Sequence, residues 1–563
     1  MTSPRFSAFL LCLVLAAPAA AADRVALTVL QTSDLHANLL PWDYARSTEG
    51  AWGLARVATR IRQIRDTAPN VLLLDGGDTI QGAPTGWLEA RRPSGGPHFV
   101  AAAMNALGYD ALAVGNHEFN FGLDVLRRAQ KDSSFPWLSA NTRNASDGSA
   151  AFPEYLVKEL GGVRVGVLGL TTPNIPGWEP VVNRPGLTWE DPVETAKRLV
   201  PLLRGEKRCD VVVVLFHSGL EADPVTGEPN GTGHENRVVA LAREVPGIDL
   251  ILTGHAHRKL SMIRVHGVPV MQPGRWGEVL ARVDLVVERV GAKATVVETN
   301  GELLPSDASV ATDPEIAAIA KGPHARALAY LNEPLATASG PFPGGRARLE
   351  DTALLDLINE TQLAVTGADL SLTSLLPFRF DGWDAGPVTV RQVYALYPYE
   401  NQLVVVEVDG ARLKGVLEHA ASYYGTAEWR EGHLVLTPQA GMTPYNFDVL
   451  QGASYRVDPT APVGNRVKEL RFKGRDVKEG DLFSLAVNSY RAQGAGGYAA
   501  LKGTKVLRTY NDEIRELLVE RLRKAGTIQP VTDRNWILAP EMTWAPLPPP
   551  VPAPIPASPA ASR

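Results

Sequence analysis

Cysteine is nearly absent from this chain: Cys12 and Cys209 are the two in 563 residues. A disulfide-stapled scaffold is excluded, so a buried apolar core must carry the fold. A basic surplus is missing too. The 56 Lys and Arg stand against 61 Asp and Glu, for a net charge of -5, which lacks the positive field that a nucleic-acid polymer requires. Long hydrophobic runs are also lacking. The apolar stretch Phe9–Leu15 falls short of the roughly 20 residues a membrane-spanning helix needs, and no later stretch is longer. What is present is ordinary globular material, with 45% hydrophobic and 21% charged residues. At about 150 residues per domain, the length predicts two to four domains.

Residues 1–22 read as a secretory signal: Arg5 ahead of a short apolar core, then Ala20-Ala21-Ala22 as a small-residue cleavage pattern, with Asp23 as the new N-terminus. The expected location is exported: periplasmic, cell-envelope or secreted. Cys12 leaves with the signal, and Cys209, just before the run Val211–Phe216, reads as a buried small hydrophobe. At the other end, Ala545–Arg563 is almost entirely Pro, Ala, Leu, Val and Ser, which favours polyproline II and cannot bury a core. Residues 536–563 are expected to form a tail outside the fold.

Between these ends the pattern changes once. The first part alternates apolar runs (Val25–Leu30, Val71–Leu74, Ala111–Val114, Val163–Leu170, Val211–Phe216, Ile248–Leu252) with amphipathic stretches such as Gly53–Arg65 and Pro192–Leu203. Strands alternating with helices predict an α/β layered domain. Pro314–Leu331 reads as largely helical, with Asp313 as N-cap and a break at Gly322-Pro323. Gly340–Gly345 reads as a linker. Beyond it, helices (Asp351–Val365, Ala411–Tyr423) mix with short β-rich runs (Gln402–Val408, Tyr455–Val457, Phe483–Val487). The expected domains are 23–338 and 339–535.

Most apolar runs of the first part end in a polar cluster: Thr32-Ser33-Asp34, Asp75-Gly76-Gly77-Asp78, Gly115-Asn116-His117-Glu118, His217-Ser218 and Thr253-Gly254-His255. Polar residues past strand C-termini are where α/β sheets place ligands. Asp34 and His36 are two apart, so an extended strand end aims both to one side. A carboxylate and an imidazole aimed together suit a divalent metal. The ordered set D-x-H, G-D, G-N-H-E, H and G-H-x-H, each after a strand, is far more specific than any one member.

On these motifs, together with Gln81-Gly82, the full run Gly115–Gly122 (GNHEFNFG) and His217-Ser218-Gly219, the chain resembles the calcineurin-like metallophosphoesterases. More narrowly it is similar to the two-domain 5′-nucleotidase and 2′,3′-cyclic-nucleotide 2′-phosphodiesterase/3′-nucleotidase family, over roughly residues 25–535. The resemblance implies an α/β fold: an N-terminal four-layer α/β/β/α sandwich and a C-terminal α+β nucleotide-specificity domain. It implies two divalent ions, one held by Asp34, His36, Asp78 and His257, the other by Asp78, Asn116, His217 and His255. Mixed N/O ligation fits Zn, Mn, Co or Fe alike. His117 would meet the substrate phosphate as His⁺. The 5′-nucleotidase branch orients this histidine with an aspartate three residues on. Here that position is Asn120, which lacks a full charge and matches the cyclic-phosphodiesterase branch.

The second domain carries the substrate contacts that the resemblance implies. Arg379 falls where the family places a phosphate-binding arginine, and Asn401 where it places an asparagine near the ligand. Tyr445 and Tyr490 sit in segments that sandwich the nucleobase, an arrangement that recognises any base by its π-face. About Gly496 the 5′-nucleotidase branch has an aspartate instead. The implied activity is hydrolysis of 2′,3′-cyclic nucleotides and 3′-nucleotides to nucleoside and phosphate, by a monomer that closes one domain on the other. The rivals are a 5′-nucleotidase or nucleotide-sugar hydrolase, a sulfur-ester hydrolase on the same motifs, and a non-catalytic nucleotide-binding protein.

Overall fold

The computed structural model describes residues 23–229, 234–291, 293–377, 380–430, 433–540 and 542–544. The expected signal, Arg379 and the Pro-rich stretch from Ala545 lie outside these.

The apolar runs of the first half form two six-stranded sheets. The first has the order Lys293–Pro305, Val279–Val290, Asp23–Thr32, Val71–Asp75, Ala111–Ala113, Trp137–Leu138. The second runs Lys259–Val265, Val268–Pro273, Leu250–Thr253, Val211–His217, Val163–Thr171, Tyr155–Leu160. Within each, the central strands are parallel. Parallel strands covered on both faces must be apolar throughout, as Val211–His217 is up to its terminal histidine, with every residue buried. The sheets pack face to face through Leu27, Val29, Leu72 and Leu74 on one side and Val165, Val167, Val213 and Leu252 on the other. Helices Leu54–Arg65 and Phe99–Ala106 join the core outside the first sheet, and Pro192–Gly205 and Val238–Glu244 the core outside the second. The four layers α/β/β/α follow.

Chain direction positions the site. Because the central strands of both sheets are parallel, the polar clusters leave them at their C-terminal ends, along one edge of the sandwich.

The second half builds a five-stranded sheet, in the order Asp448–Gln451, Leu370–Ser374, Leu482–Asn488, Gln402–Asp409, Lys505–Glu513. Helices Ala353–Thr366, Gly410–Ala421 and Ile514–Ala525 pack on it. Pro314–Leu331 connects the halves. Asp313 caps it by accepting from Glu315 and Ile316 N–H. The expected break does not occur: the helix continues through Pro323, because its apolar side stays packed around the missing hydrogen bond, with Ile316, Ala320, Ala327 and Tyr330 buried. The ring of Tyr330 stacks on Trp87 at 5.2 Å and meets Tyr394 of the second half at 6.0 Å.

Two boundaries differ from expectation. Pro334–Ala338, expected with the first domain, pairs with Gly386–Thr389 and Thr527–Ile528 of the second. Trp536–Leu538, expected in the tail, pairs in parallel with Ala453–Val457. A short Trp-Ile-Leu run beside prolines carries no period to read, and burial of the Trp536 ring against Phe447 and Tyr455 draws the segment in. Cys209 is buried as expected, and burial pushes its thiol up. Trp536→Ala should lower unfolding stability by about 3–5 kcal/mol, read from urea midpoints; a change within error would mean the segment is not docked.

Candidate metal centre and substrate cavity

The loops at the shared edge bend sharply. Asp34, His36, Asp78, His255 and His257 all have left-handed backbones, with φ of 53°, 48°, 55°, 69° and 54°. Each such residue costs about 1–2 kcal/mol, and clustering of strain at one place is typical of functional sites. The bends need room. A Cβ on Gly115 would lie 2.2 Å from Asp78 Oδ1, and one on Gly254 2.3 Å from Ser33 Oγ.

Asp34, His36 and His257 offer ligand atoms within 4.8 Å of one another, as do Asp78, His217 and His255. Hydrogen bonds fix what these atoms are. His217 Nδ1 lies 2.6 Å from the carbonyl of Gly76, which can only accept. Nδ1 therefore carries the proton, and the Nε2 lone pair faces Asp78 Oδ2 at 3.0 Å and Asn116 Oδ1 at 3.2 Å. His36 Nδ1 likewise donates to the Gln81 carbonyl at 3.0 Å, so its Nε2 lone pair faces His257 Nε2 at 3.0 Å. His255 Nε2 meets Glu235 Oε1 at 2.8 Å, which turns the Nδ1 lone pair to Asn116 Oδ1 at 2.9 Å. Around Asp78 and Asn116, acceptors thus face acceptors. Such a set is satisfied by a cation, and a histidine held by its other nitrogen is the usual presentation to a metal. The residues present fit divalent metal ions.

The electrostatics agree. Burial opposes ionisation of Asp34 and Asp78, yet the surrounding histidines hold both carboxyls below the usual range. Burial, then the charge of His257, pushes His36 down to about 3. Burial also works against His217⁺, but Asp78 outweighs it and lifts that group to about 10, so a proton shared with Asp78 competes with a metal ion for the Nε2 lone pair.

Two buried acids that lie within the motifs, but for which the sequence suggested no role, hold this edge together. Glu118 accepts the backbone N–H of Asp78 at 2.8 Å, Thr79 at 2.5 Å and Gly115 at 2.7 Å, so one carboxylate clamps the loops of Asp78 and Asn116. Asp75 accepts from Thr32 and Thr79 hydroxyls, both at 2.6 Å.

His117 takes its place from Asp78, whose Oδ1 accepts its N–H at 2.8 Å. Its ring Nδ1 lies 2.6 Å from Asn120 Oδ1. Asn120 in turn donates to Glu179, which also accepts from Asn183 at 3.0 Å. Burial disfavours the imidazolium, yet Asp78, Asn120 and Glu179 together raise its pKa. The charge that Asn120 lacks is supplied one residue behind it, by an acid sequence reasoning did not identify because it is distant in the chain.

A cavity of about 910 Å³ opens beside these groups, between the domains. Asn116, His117, Asn120 and His255 line it from one side, and Asn401, Tyr445 and Tyr490 from the other. Tyr399 and Trp178 also line it. Buried Arg491 ties the two expected stacking residues together. It follows Tyr490, pairs with Asp448 at 2.7 Å and donates to the Tyr445 carbonyl at 2.6 Å. Gly496 has φ 73°, and a Cβ there would meet Arg491 Nη1 at 2.3 Å. The domains also join below the cavity. Gln81, whose side-chain oxygen lies 3.1 Å from His36 Nδ1, donates to Glu400. Glu400 pairs with buried Arg515 at 3.1 Å, and Glu513 pairs with Arg515 at 3.2 Å and with Arg91 at 3.0 Å.

Residues 27–259 match the family model of the calcineurin-like phosphoesterases, and residues 334–503 that of the 5′-nucleotidase C-terminal domain. A 2′,3′-cyclic-nucleotide 2′-phosphodiesterase/3′-nucleotidase of Salmonella typhimurium is 32% identical, over 95% of this chain and 92% of its own. The UshA protein of Yersinia enterocolitica is 25% identical over 84% and 86%. Among solved structures, a 5′-nucleotidase precursor from Thermus thermophilus aligns with a TM-score of 0.63 at 26% identity, covering 91% of this chain and 99% of that one. A Staphylococcus aureus structure reaches 0.80, also at 26% identity, over 91% and 100%.

Glu118→Ala removes the acceptor of three loop N–H groups at once and should cost about 3 kcal/mol or more in urea unfolding, with Glu118→Gln in between; equal stability of all three proteins would dismiss the clamp.

Proposed function

Because the chain belongs to the family that joins a calcineurin-like phosphoesterase domain to a 5′-nucleotidase C-terminal domain, and is a phosphoester hydrolase, we propose that it is an exported, dinuclear-metal 2′,3′-cyclic-nucleotide phosphodiesterase and 3′-nucleotidase. The carrying observation is the cavity, which has converging metal-type acceptors and His117 on one wall and Tyr445 and Tyr490 on the other.

Asp34, His36, Asp78 and His257 would hold one ion, and Asp78, Asn116, His217 and His255 would hold the other. Bound divalent ions lower the pKa of water and neutralise phosphoryl oxygens; Zn, Mn, Co and Fe all suit these donors. His117, whose pKa Asp78 and the Asn120–Glu179 pair raise against burial, would as imidazolium place positive charge against the phosphoryl group or give its proton to the leaving oxygen. Tyr445 and Tyr490 grip the base, with Asn401 beside them, and Arg491 sets their spacing. Arg379 stands as a phosphate contact on sequence grounds alone. Both walls come from one chain, which supports a monomer as the active unit. Among the described residues, no helix is long and apolar enough to cross a membrane. The division of the domains falls between Leu331 and Pro334.

Choice of the cyclic and 3′ substrates over 5′-nucleotides is supported by Asn120 and Gly496. At Gly496 no side chain fits without displacing Arg491, so an aspartate could not stand there in this arrangement. The names of relatives such as that from Salmonella typhimurium agree. On the metal-loaded mature chain, 2′,3′-cyclic AMP and 3′-AMP should turn over much faster than 5′-AMP; preference for 5′-AMP would reverse the assignment. His117→Ala should lower kcat about 100-fold or more with metal content unchanged. Tyr445→Ala and Tyr490→Ala should each raise KM by about 5- to 100-fold, and unchanged KM in both would remove the base sandwich. N-terminal sequencing of exported protein should begin at Asp23.

A further inference from the structure

On the second domain, away from the cavity, three carboxylates meet without an evident task. Asp351 precedes the helix Ala353–Thr366 and Asp356 lies in its first turn. Asp533 comes from the segment that leads into the strand Trp536–Leu538. One oxygen of each lies within 4.8 Å of the other two. Asp356 is only 3% exposed. Its Oδ1, like Asp351 Oδ2, is buried and has no hydrogen-bond partner. Its other oxygen has only a 3.4 Å contact from Asp533 N–H. Asp533 Oδ2 is fixed by Gln451 at 2.8 Å. Burial first, then the repulsive charges of Asp351 and Asp533 and a close carboxyl contact with Asp351, push Asp356 up to about 8. A buried carboxylate oxygen aimed at two others, with no donor between, calls for a counter-charge or a shared proton.

We propose that Asp351, Asp356 and Asp533 form a third metal site, which binds a hard divalent cation of the calcium class and fastens the last folded segment of the chain to the helix Ala353–Thr366. The donors are all carboxylate oxygens, the set that hard cations select, whereas the centre at the sandwich edge is rich in imidazole and suits softer ions. The two kinds of ion are therefore sorted by ligand chemistry. Asp533 is exposed, so solvent reaches the site. The location explains the consequence. The residues beyond Asp533 belong to the core through Trp536, and no disulfide holds them there.

The test uses the full mature chain, loaded with manganese, freed of calcium, and titrated with calcium chloride. Calcium should raise Tm by about 3 °C or more and leave kcat on the cyclic nucleotide unchanged. Asp533→Asn, an exposed substitution that spares the core, should abolish the rise, and so should Asp356→Asn. Terbium offers a second reading: Tyr455, which lies in the electrostatic reach of Asp351 and Asp356, and nearby Trp536 should sensitise its emission, and calcium should quench it in wild type only. A calcium-dependent rise that persists in Asp533→Asn would assign the effect to another site and overturn the proposal. So would an absence of calcium response in wild type, and a higher Tm of Asp356→Asn than wild type would then mark a proton shared between acids.

Discussion

Acceptor facing acceptor is the constraint on which the rest of this structure depends. Around Asp78 and Asn116, lone pairs of His217 and His255 converge, because the other nitrogen of each ring is committed to Gly76 or Glu235. Where His36 meets His257 the two Nε2 atoms lie 3.0 Å apart, with His36 Nδ1 committed to the Gln81 carbonyl and His257 Nδ1 facing Arg275. An arrangement of that kind is costly to bury unless a cation enters. The strained backbones of five residues and the glycines that let their loops pass serve that convergence. The two apolar sheets supply the rigidity that pins it.

Beyond the metal centre, buried charges do the assembling. Glu118 clamps two loops, Glu179 backs the Asn120–His117 pair, Arg491 joins the segments of Tyr445 and Tyr490, and Arg515 with Glu400 and Glu513 ties the domains beneath the cavity. Breaking one partner of such a pair strands the other in a low-dielectric interior, at a cost of about 3–5 kcal/mol. The chain from His36 through Gln81 to Glu400 means that the imidazole ring and the substrate-binding domain share a hydrogen-bond path. Domain placement and metal-site geometry are therefore not independent.

Reading from sequence succeeded wherever a long apolar period or an ordered motif existed. The runs Val25–Leu30, Val71–Leu74 and Val211–Phe216 became central strands because a strand buried on both faces leaves no polar position. The clusters that follow them reached one edge because the strands are parallel. It failed where the stabilising partner was remote. Pro323 reads as a helix break until neighbouring packing is counted, and Trp536–Leu538 reads as tail until its pairing strand is known. Glu179 and Arg491 have no motif of their own, since what makes them useful is a neighbour distant in the chain.

Composition and order alone determined that this is an α/β chain without disulfides, that its strands end in Asp, Asn and His, and that an amide stands where a carboxylate could have stood behind His117. These are properties of residue type and spacing, which survive any folding. Tertiary structure decided which nitrogen of each histidine is free, that Glu179 restores the missing charge, that Gly496 cannot carry a side chain, and that three aspartates from two distant segments share one point. Such facts depend on distances of a few ångströms between residues hundreds apart, and only close packing sets those.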